Sequence, residues 1–211
     1  MYWLIPLGIV AGTTWLMSTE NEVKRKTYSL LEKNFRKLKN KLKEENKTKV
    51  LIVGQPGAGK SSLLKYVTNN KCAPVPIIGQ KTDATHWNDI EINDFFHQYS
   101  DQLFVDSPGY DTKNHPLDSY LECFPFSLFD KVIFVLHRKI YNSDMEIIKK
   151  INNNTIIIIR NYSECLTNKE KKEIKLDILK KFELNNKKID IVFFSSKTKE
   201  GLSKLKNILD N

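Results

Sequence analysis

One stretch restricts the fold more than any other: Gly54-Gln55-Pro56-Gly57-Ala58-Gly59-Lys60-Ser61, between the apolar run Val50-Leu51-Ile52-Val53 and the helical pattern Ser62-Leu63-Leu64-Lys65-Tyr66-Val67. The spacing G-x-x-x-x-G-K-[ST] between a strand and a helix is that of a phosphate-binding loop. Its glycines let backbone N–H groups turn inward onto phosphate oxygens, Lys60 reaches the β- and γ-phosphates, and the Ser61 hydroxyl ligates Mg²⁺. The helix that starts there adds its positive dipole end. An ordinary glycine-rich turn has no reason to hold Gly-Lys-Ser at that distance from Gly54. The loop names a nucleoside triphosphate; it does not name the base.

The chain that follows alternates apolar runs of strand length with helical patterns. Trp87-Asn88-Asp89-Ile90-Glu91-Ile92 reads as an alternating edge strand, and Leu103-Phe104-Val105 leads into Asp106. The runs at 132–136, 155–159 and 189–194 are mostly apolar, β-branched or aromatic and of the length of buried strands. Helical patterns lie at 143–152, 168–184 and 201–210. The fold class is therefore α/β, a doubly wound, mostly parallel six-stranded sheet with helices on both faces.

Asp106-Ser107-Pro108-Gly109 sits at the carboxyl end of its strand, where open α/β sheets bind ligands. Asp106 can hold Mg²⁺ through water, and Gly109 can offer its N–H to a γ-phosphate. Upstream, Thr82 and Thr85 lie in a loop where either hydroxyl can complete the metal shell; spacing from Ser61 favours Thr82. His86, His97 and His115 are read as polar loop residues.

The amino terminus differs in kind. Residues 1–17 carry no charge, with Trp3 and Trp15 near the two ends, and Lys24-Arg25-Lys26 follow. Aromatic ends and a basic flank suit a short membrane anchor, with the rest of the chain on the cytoplasmic side. The segment lacks the basic leader of a signal peptide. Gly8 and Gly12 have the spacing of a helix-pairing motif, a weak pointer to a homodimer. Residues 21–49 hold eleven Lys/Arg against four acids, so most of the net charge of +9 lies in one segment. It is thus poor evidence for nucleic-acid binding by the whole domain. From Glu20 to Lys47 the pattern is helical, and Tyr28, Leu31, Phe35, Leu38 and Leu42 make one apolar stripe that packs on the following domain or lies along anionic lipid. The expected organisation is an anchor at 1–19, a basic amphipathic helix at 20–47 and a nucleotide-binding domain at 48–211. Cys72, Cys123 and Cys165 are widely spaced, which implies free thiols.

Taken together, the P-loop, a loop threonine, D-x-P-G, a strand ending near Asn161 and the late Ser195-Ser196-Lys197 resemble the Ras-like GTPases, and the D-S-P-G form resembles their Era-like branch. The resemblance covers about residues 48–211. It implies a GTPase domain (G domain) that binds GTP or GDP with Mg²⁺. The phosphates would lie on Gly54, Gln55, Pro56, Gly57, Ala58, Gly59, Lys60, Ser61 and Ser62, with Asp106, Ser107, Pro108 and Gly109 beside them. Asn161, Glu164, Ser196 and Lys197 would face the base, and Lys60, Thr82 and Gly109 the transferred phosphate. Two departures stand out. Asn161-Tyr162-Ser163-Glu164 replaces the family's N-K-x-D, so a tyrosine ring can cover the base and the acceptor carboxylate is one methylene longer. Tyr110 replaces the glutamine that orients the attacking water, which implies slow hydrolysis without a partner. Gly57 also lacks the P-loop asparagine of potassium-activated relatives. The expected function is a membrane-tethered GTP-dependent switch with an unidentified protein effector or activator. The alternatives are a degenerate G domain acting as a scaffold and an ATP-using P-loop protein.

Overall fold

The computed structural model describes residues 29–76, 87–88, 90–151, 155–182 and 189–210. The membrane-anchor, threonine-ligand and His86 expectations fall outside them. Among the described residues no helix is long and apolar enough to cross a membrane.

Six strands form one sheet in the order β2-β3-β1-β4-β5-β6. They are β1 (Thr48–Gly54), β2 (His97–Tyr99), β3 (Gln102–Asp106), β4 (Lys131–Leu136), β5 (Thr155–Arg160) and β6 (Ile189–Phe193). All neighbouring pairs are parallel except β2 with β3. Alternate residues of each central strand enter opposite cores. Leu51, Val53, Phe134 and Ile158 face one side, and Val50, Ile52, Ile133 and Ile157 face the other. Burial on both faces explains why these strands read as unbroken apolar runs.

Among the described residues, the complete α-helices beside the sheet are α1 (Leu30–Glu44), α2 (Lys60–Val67), α3 (Leu117–Cys123), α4 (Asn142–Lys150), α5 (Asn168–Lys181) and α6 (Leu202–Asp210). Side chains of α1, α3, α4 and α5 join the first core; those of α2 and α6 join the second. Ser29 and Glu32 start α1 with a reciprocal capping box, and Thr167 with Glu170 does the same for α5. The Leu31, Phe35, Leu38 and Leu42 stripe is fully buried, so α1 packs on the sheet domain.

The structure corrects one strand. Trp87 and Asn88 are helical and Ile92 is in no strand; the edge position belongs to His97–Tyr99. The cause is Asn34 of α1, which is completely buried. Its Nδ2 donates to the carbonyls of Trp87 (2.8 Å) and Ile90 (2.9 Å), and its Oδ1 accepts from the Ile92 N–H (3.0 Å). Backbone groups that a ladder would have used are satisfied by one side chain instead. The expected helix over 20–47 also stops earlier at its carboxyl end, where Glu45 turns to extended backbone.

Candidate functional site

β1 ends at Gly54 and α2 begins at Lys60, so the loop between them lies at the carboxyl edge of the sheet. Gly59 is the residue before α2 and has φ +93°; a Cβ there would collide with the Asn161 amide nitrogen. Only glycine suits that position. No side chain caps α2, which leaves its first-turn N–H groups for an anion. Lys60 is almost entirely buried, and its Nζ donates to the carbonyls of Gly54 and Gln55, both at 3.2 Å. The ammonium thus bridges the loop it would share with phosphate.

β3 is the parallel neighbour of β1, with Asp106 in register with Ile52. That pairing brings Asp106 to the P-loop: the Ser61 hydroxyl donates to Asp106 Oδ2 at 2.5 Å. These two groups line a cavity of about 300 Å³ with Ser107, Pro108, Trp87, Phe95 and His97. The Ser107 hydroxyl is buried without a hydrogen-bond partner among the described residues. Gly109 presses against the Pro56 ring so closely that a Cβ would not fit. The Ser61 hydroxyl and the Asp106 carboxylate fit an Mg²⁺ that shares its shell with phosphate oxygens, and the buried Lys60 ammonium fits the phosphates themselves.

Tyr110 is the feature that sequence reasoning placed only by its identity. It is completely buried, and its hydroxyl donates to Asp144 Oδ1 at 2.5 Å. Asp144 lies in the first turn of α4, where its Oδ2 accepts the Tyr141 N–H at 2.8 Å. Gln55 of the P-loop reaches the same place, donating to Ser143 Oγ (2.9 Å) and Asp144 Oδ1 (3.1 Å). Burial above all, then the neighbouring Asp144 carboxylate, raises the Tyr110 phenol well above its ordinary range. It remains a neutral donor. Burial also raises Asp144, against the opposing hydrogen bonds from Tyr110, Tyr141 and Gln55. Tyr120 holds the loop from below by donating to the Pro108 carbonyl, and the imidazole of His115 contacts the Gly109 carbonyl at 3.1 Å.

The other end of the P-loop meets the segment after β5. Asn161 Nδ2 donates to the Ala58 carbonyl at 2.8 Å, and its Oδ1 accepts the Tyr162 N–H at 2.8 Å. Ser163 donates to Glu200 Oε2 at 2.6 Å, and Lys171 pairs with the other oxygen at 2.6 Å. Glu164 and Lys197 approach to 3.7 Å. The Ser195 hydroxyl, the Glu164 backbone and Lys197 hold the Glu164 carboxyl below its ordinary range, so it is an ionised acceptor. Ser195 Oγ also accepts the N–H groups of Lys197 and Thr198 (3.2 and 3.1 Å), which fixes the turn carrying Ser196 and Lys197.

The structure therefore gathers the P-loop, Asp106 to Gly109 and Asn161 at one edge, with Glu164 beside Lys197. Asp144, Glu200 and His137 were not singled out by sequence reasoning. Asp144 had a faint signal, an acidic residue in the first turn of a helix; the other two had none.

Comparison with known proteins agrees. The family described as "50S ribosome-binding GTPase" (MMR_HSR1) matches residues 49–162. No curated protein sequence matches the chain. Among solved structures, a bacterial selenocysteine-specific elongation factor EF-Sec superposes with a TM-score of 0.58 at 16% identity, covering 79% of this chain and 28% of that one. Elongation factor SelB from Methanococcus maripaludis, bound to the GTP analogue GppNHp, gives 0.51 at 18% identity, over 78% of this chain and 33% of that one. A probable GTP-binding protein, EngB, gives 0.56 at 14% identity, over 77% of this chain and 97% of that one. This chain thus spans a third or less of the elongation factors, and likenesses at such identities concern the fold. The family match covers more than half of the sequence, and the chain belongs to the MMR_HSR1 family of GTPases, with a G domain for guanine nucleotide.

Proposed function

We propose that the protein is a membrane-tethered, Era-like switch that binds GTP with Mg²⁺ and hydrolyses it slowly when alone. The observation that carries the slow rate is the burial of Tyr110 against Asp144. Where a catalytic water must be oriented, this chain offers a side chain bonded into the core. Lys60 and the P-loop amides hold the phosphates. Ser61, Asp106 and one of Thr82 or Thr85 hold Mg²⁺, whose bound charge offsets the negative charge on the phosphate oxygens. Gly109 offers its N–H to the γ-phosphate, and Asn161, Glu164, Ser196 and Lys197 surround the guanine. Residues 1–19 tether the domain to the cytoplasmic face of a membrane, with the basic segment 21–49 beside anionic headgroups and the effector a protein.

The test has two arms. Full-length protein purified in detergent is expected to bind labelled GTP, with excess GDP but not ATP displacing it; displacement by ATP would indicate an ATP-using protein instead. The intact chain is expected in the membrane fraction, and a chain lacking residues 1–19 in the soluble fraction. Unchanged pelleting of the truncated chain would contradict the tether and leave the nucleotide reading standing.

A further inference from the structure

Asp144 is 1% exposed, yet a carboxylate in the first turn of a helix gains from the helix dipole without leaving water. Burial of a carboxylate is sustained by fixed partners on its oxygens. Oδ2 accepts the Tyr141 N–H at the start of the same helix, and Oδ1 accepts from two side chains that belong to other parts of the chain. One is Gln55 of the phosphate loop at 3.1 Å; the other, at 2.5 Å, is Tyr110, the residue after Gly109. A single oxygen thus joins the two loops that border the phosphate site.

The segment so joined is also braced on its near side. Tyr120 donates to the Pro108 carbonyl, the His115 imidazole contacts the Gly109 carbonyl at 3.1 Å, and Gly109 stands so close to the Pro56 ring that a Cβ would not fit. Tyr110 fixes the far side of Gly109, and Asp144 ties that side to Gln55. Gln55 has a second partner, Ser143 Oγ at 2.9 Å, which would keep the phosphate loop in place without Asp144.

We propose that Asp144 is a positioning residue for the third phosphate: by holding Gln55 and Tyr110 on one oxygen, it keeps the Gly109 N–H in fixed relation to the phosphate loop, and so supports the triphosphate and not the diphosphate. The inference rests on the reading above in which Gly109 serves the γ-phosphate. The phosphate loop serves GDP and GTP alike, so losing Asp144 removes support for a contact that only the triphosphate makes. A hydrogen bond to a charged phosphate oxygen is of a strength that alters affinity about tenfold.

Affinities of full-length protein in detergent with Mg²⁺ are measured by calorimetry for GDP and for GppNHp, which keeps three phosphates without turnover. Asp144→Ala is expected to weaken GppNHp about tenfold and GDP less than about twofold. Tyr110→Phe shifts the ratio of the two affinities in the same direction by about threefold. The double variant is no weaker than Asp144→Ala alone, because both changes act through one oxygen. The proposal is overturned if Asp144→Ala weakens both ligands by a common factor or neither, as a merely structural role would, or if the double variant multiplies the two single effects. Should Asp144→Ala fail to fold, Tyr110→Phe decides alone, and a ratio equal to that of wild type overturns the proposal. Wild-type protein that binds neither ligand overturns the nucleotide reading itself, a result distinct from any variant effect.

Discussion

At the scale of single residues, Tyr110 shows how a substitution in a motif changes what the motif can do. Its ring lies 5.8 Å from that of Tyr120 and 6.4 Å from that of Phe134, and its hydroxyl is one of three donors to Asp144. Removing the hydroxyl leaves a buried carboxylate short of a donor, which costs about 1–3 kcal/mol. Tyr110→Phe is therefore expected to unfold at lower urea concentration by that amount while its GTP hydrolysis rate stays as low as wild type, since phenylalanine offers the water no more than the buried tyrosine does. That Lys60, Ser61 and Asp106 lie together could be read from sequence because a phosphate-binding motif is written in a short contiguous loop and one strand end. Asp144 could not: its partner Tyr110 lies 34 residues away, and an aspartate in a first helical turn is explained well enough by the helix dipole. Glu200 could not be placed for a similar reason, since nothing near it in the sequence shows that Ser163 and Lys171 bond its two oxygens. Those two contacts, Lys171 first, hold the Glu200 carboxyl below its ordinary range. A lowered carboxylate stabilises the fold above its unfolded value and loses that contribution as pH falls through the folded one. Stability should accordingly fall as pH drops below the ordinary glutamate range of about 4.3, and Glu200→Gln should flatten that acid limb; an unaltered limb in the variant would remove Glu200 from the account.

At the scale of elements, α1 matters beyond its apolar stripe. Phe35 meets Trp87 at 5.8 Å and the rings of Tyr120 and Phe124 at 5.0 Å, and Tyr120 in turn holds the Pro108 carbonyl. Asn34 binds the 87–92 segment. One helix thus touches the flanks of both loops that border the Ser61–Asp106 pair. The stripe was legible because its three-and-four spacing depends on neighbours in sequence; Asn34 was not, because a polar residue within such a stripe is usually taken for a solvent-facing position. The same omission explains the misplaced edge strand, whose alternation of polar and apolar residues was real but whose backbone partners came from a side chain more than 50 positions upstream. Asn34→Ala strands two carbonyls and one N–H, and is expected to cost about 2–4 kcal/mol in chemical denaturation. A loss under 1 kcal/mol would show that water replaces all three bonds.

At the scale of the whole molecule, alternation of strands and helices was enough to specify a mostly parallel sheet, since a strand buried on both faces has few alternatives. The sheet then explains the site: β1 and β3 are neighbours, so their carboxyl ends bring Ser61 to Asp106, and the end of β5 brings Asn161 to Ala58. The described phosphate end gathers Lys60, Ser61 and Asp106, while the side chain after Gly109 is bonded into the core. Binding should therefore outlast chemistry. Single-turnover hydrolysis of GTP by full-length protein with Mg²⁺, followed as phosphate release, tests this most directly. The account predicts a stable GTP complex in wild type, lost in Lys60→Ala, with conversion to GDP at roughly the unassisted rate of a G domain, on the order of 10⁻⁴ to 10⁻³ s⁻¹. Release at partner-assisted rates of several per second from the protein alone, or no GTP complex in wild type, would contradict it.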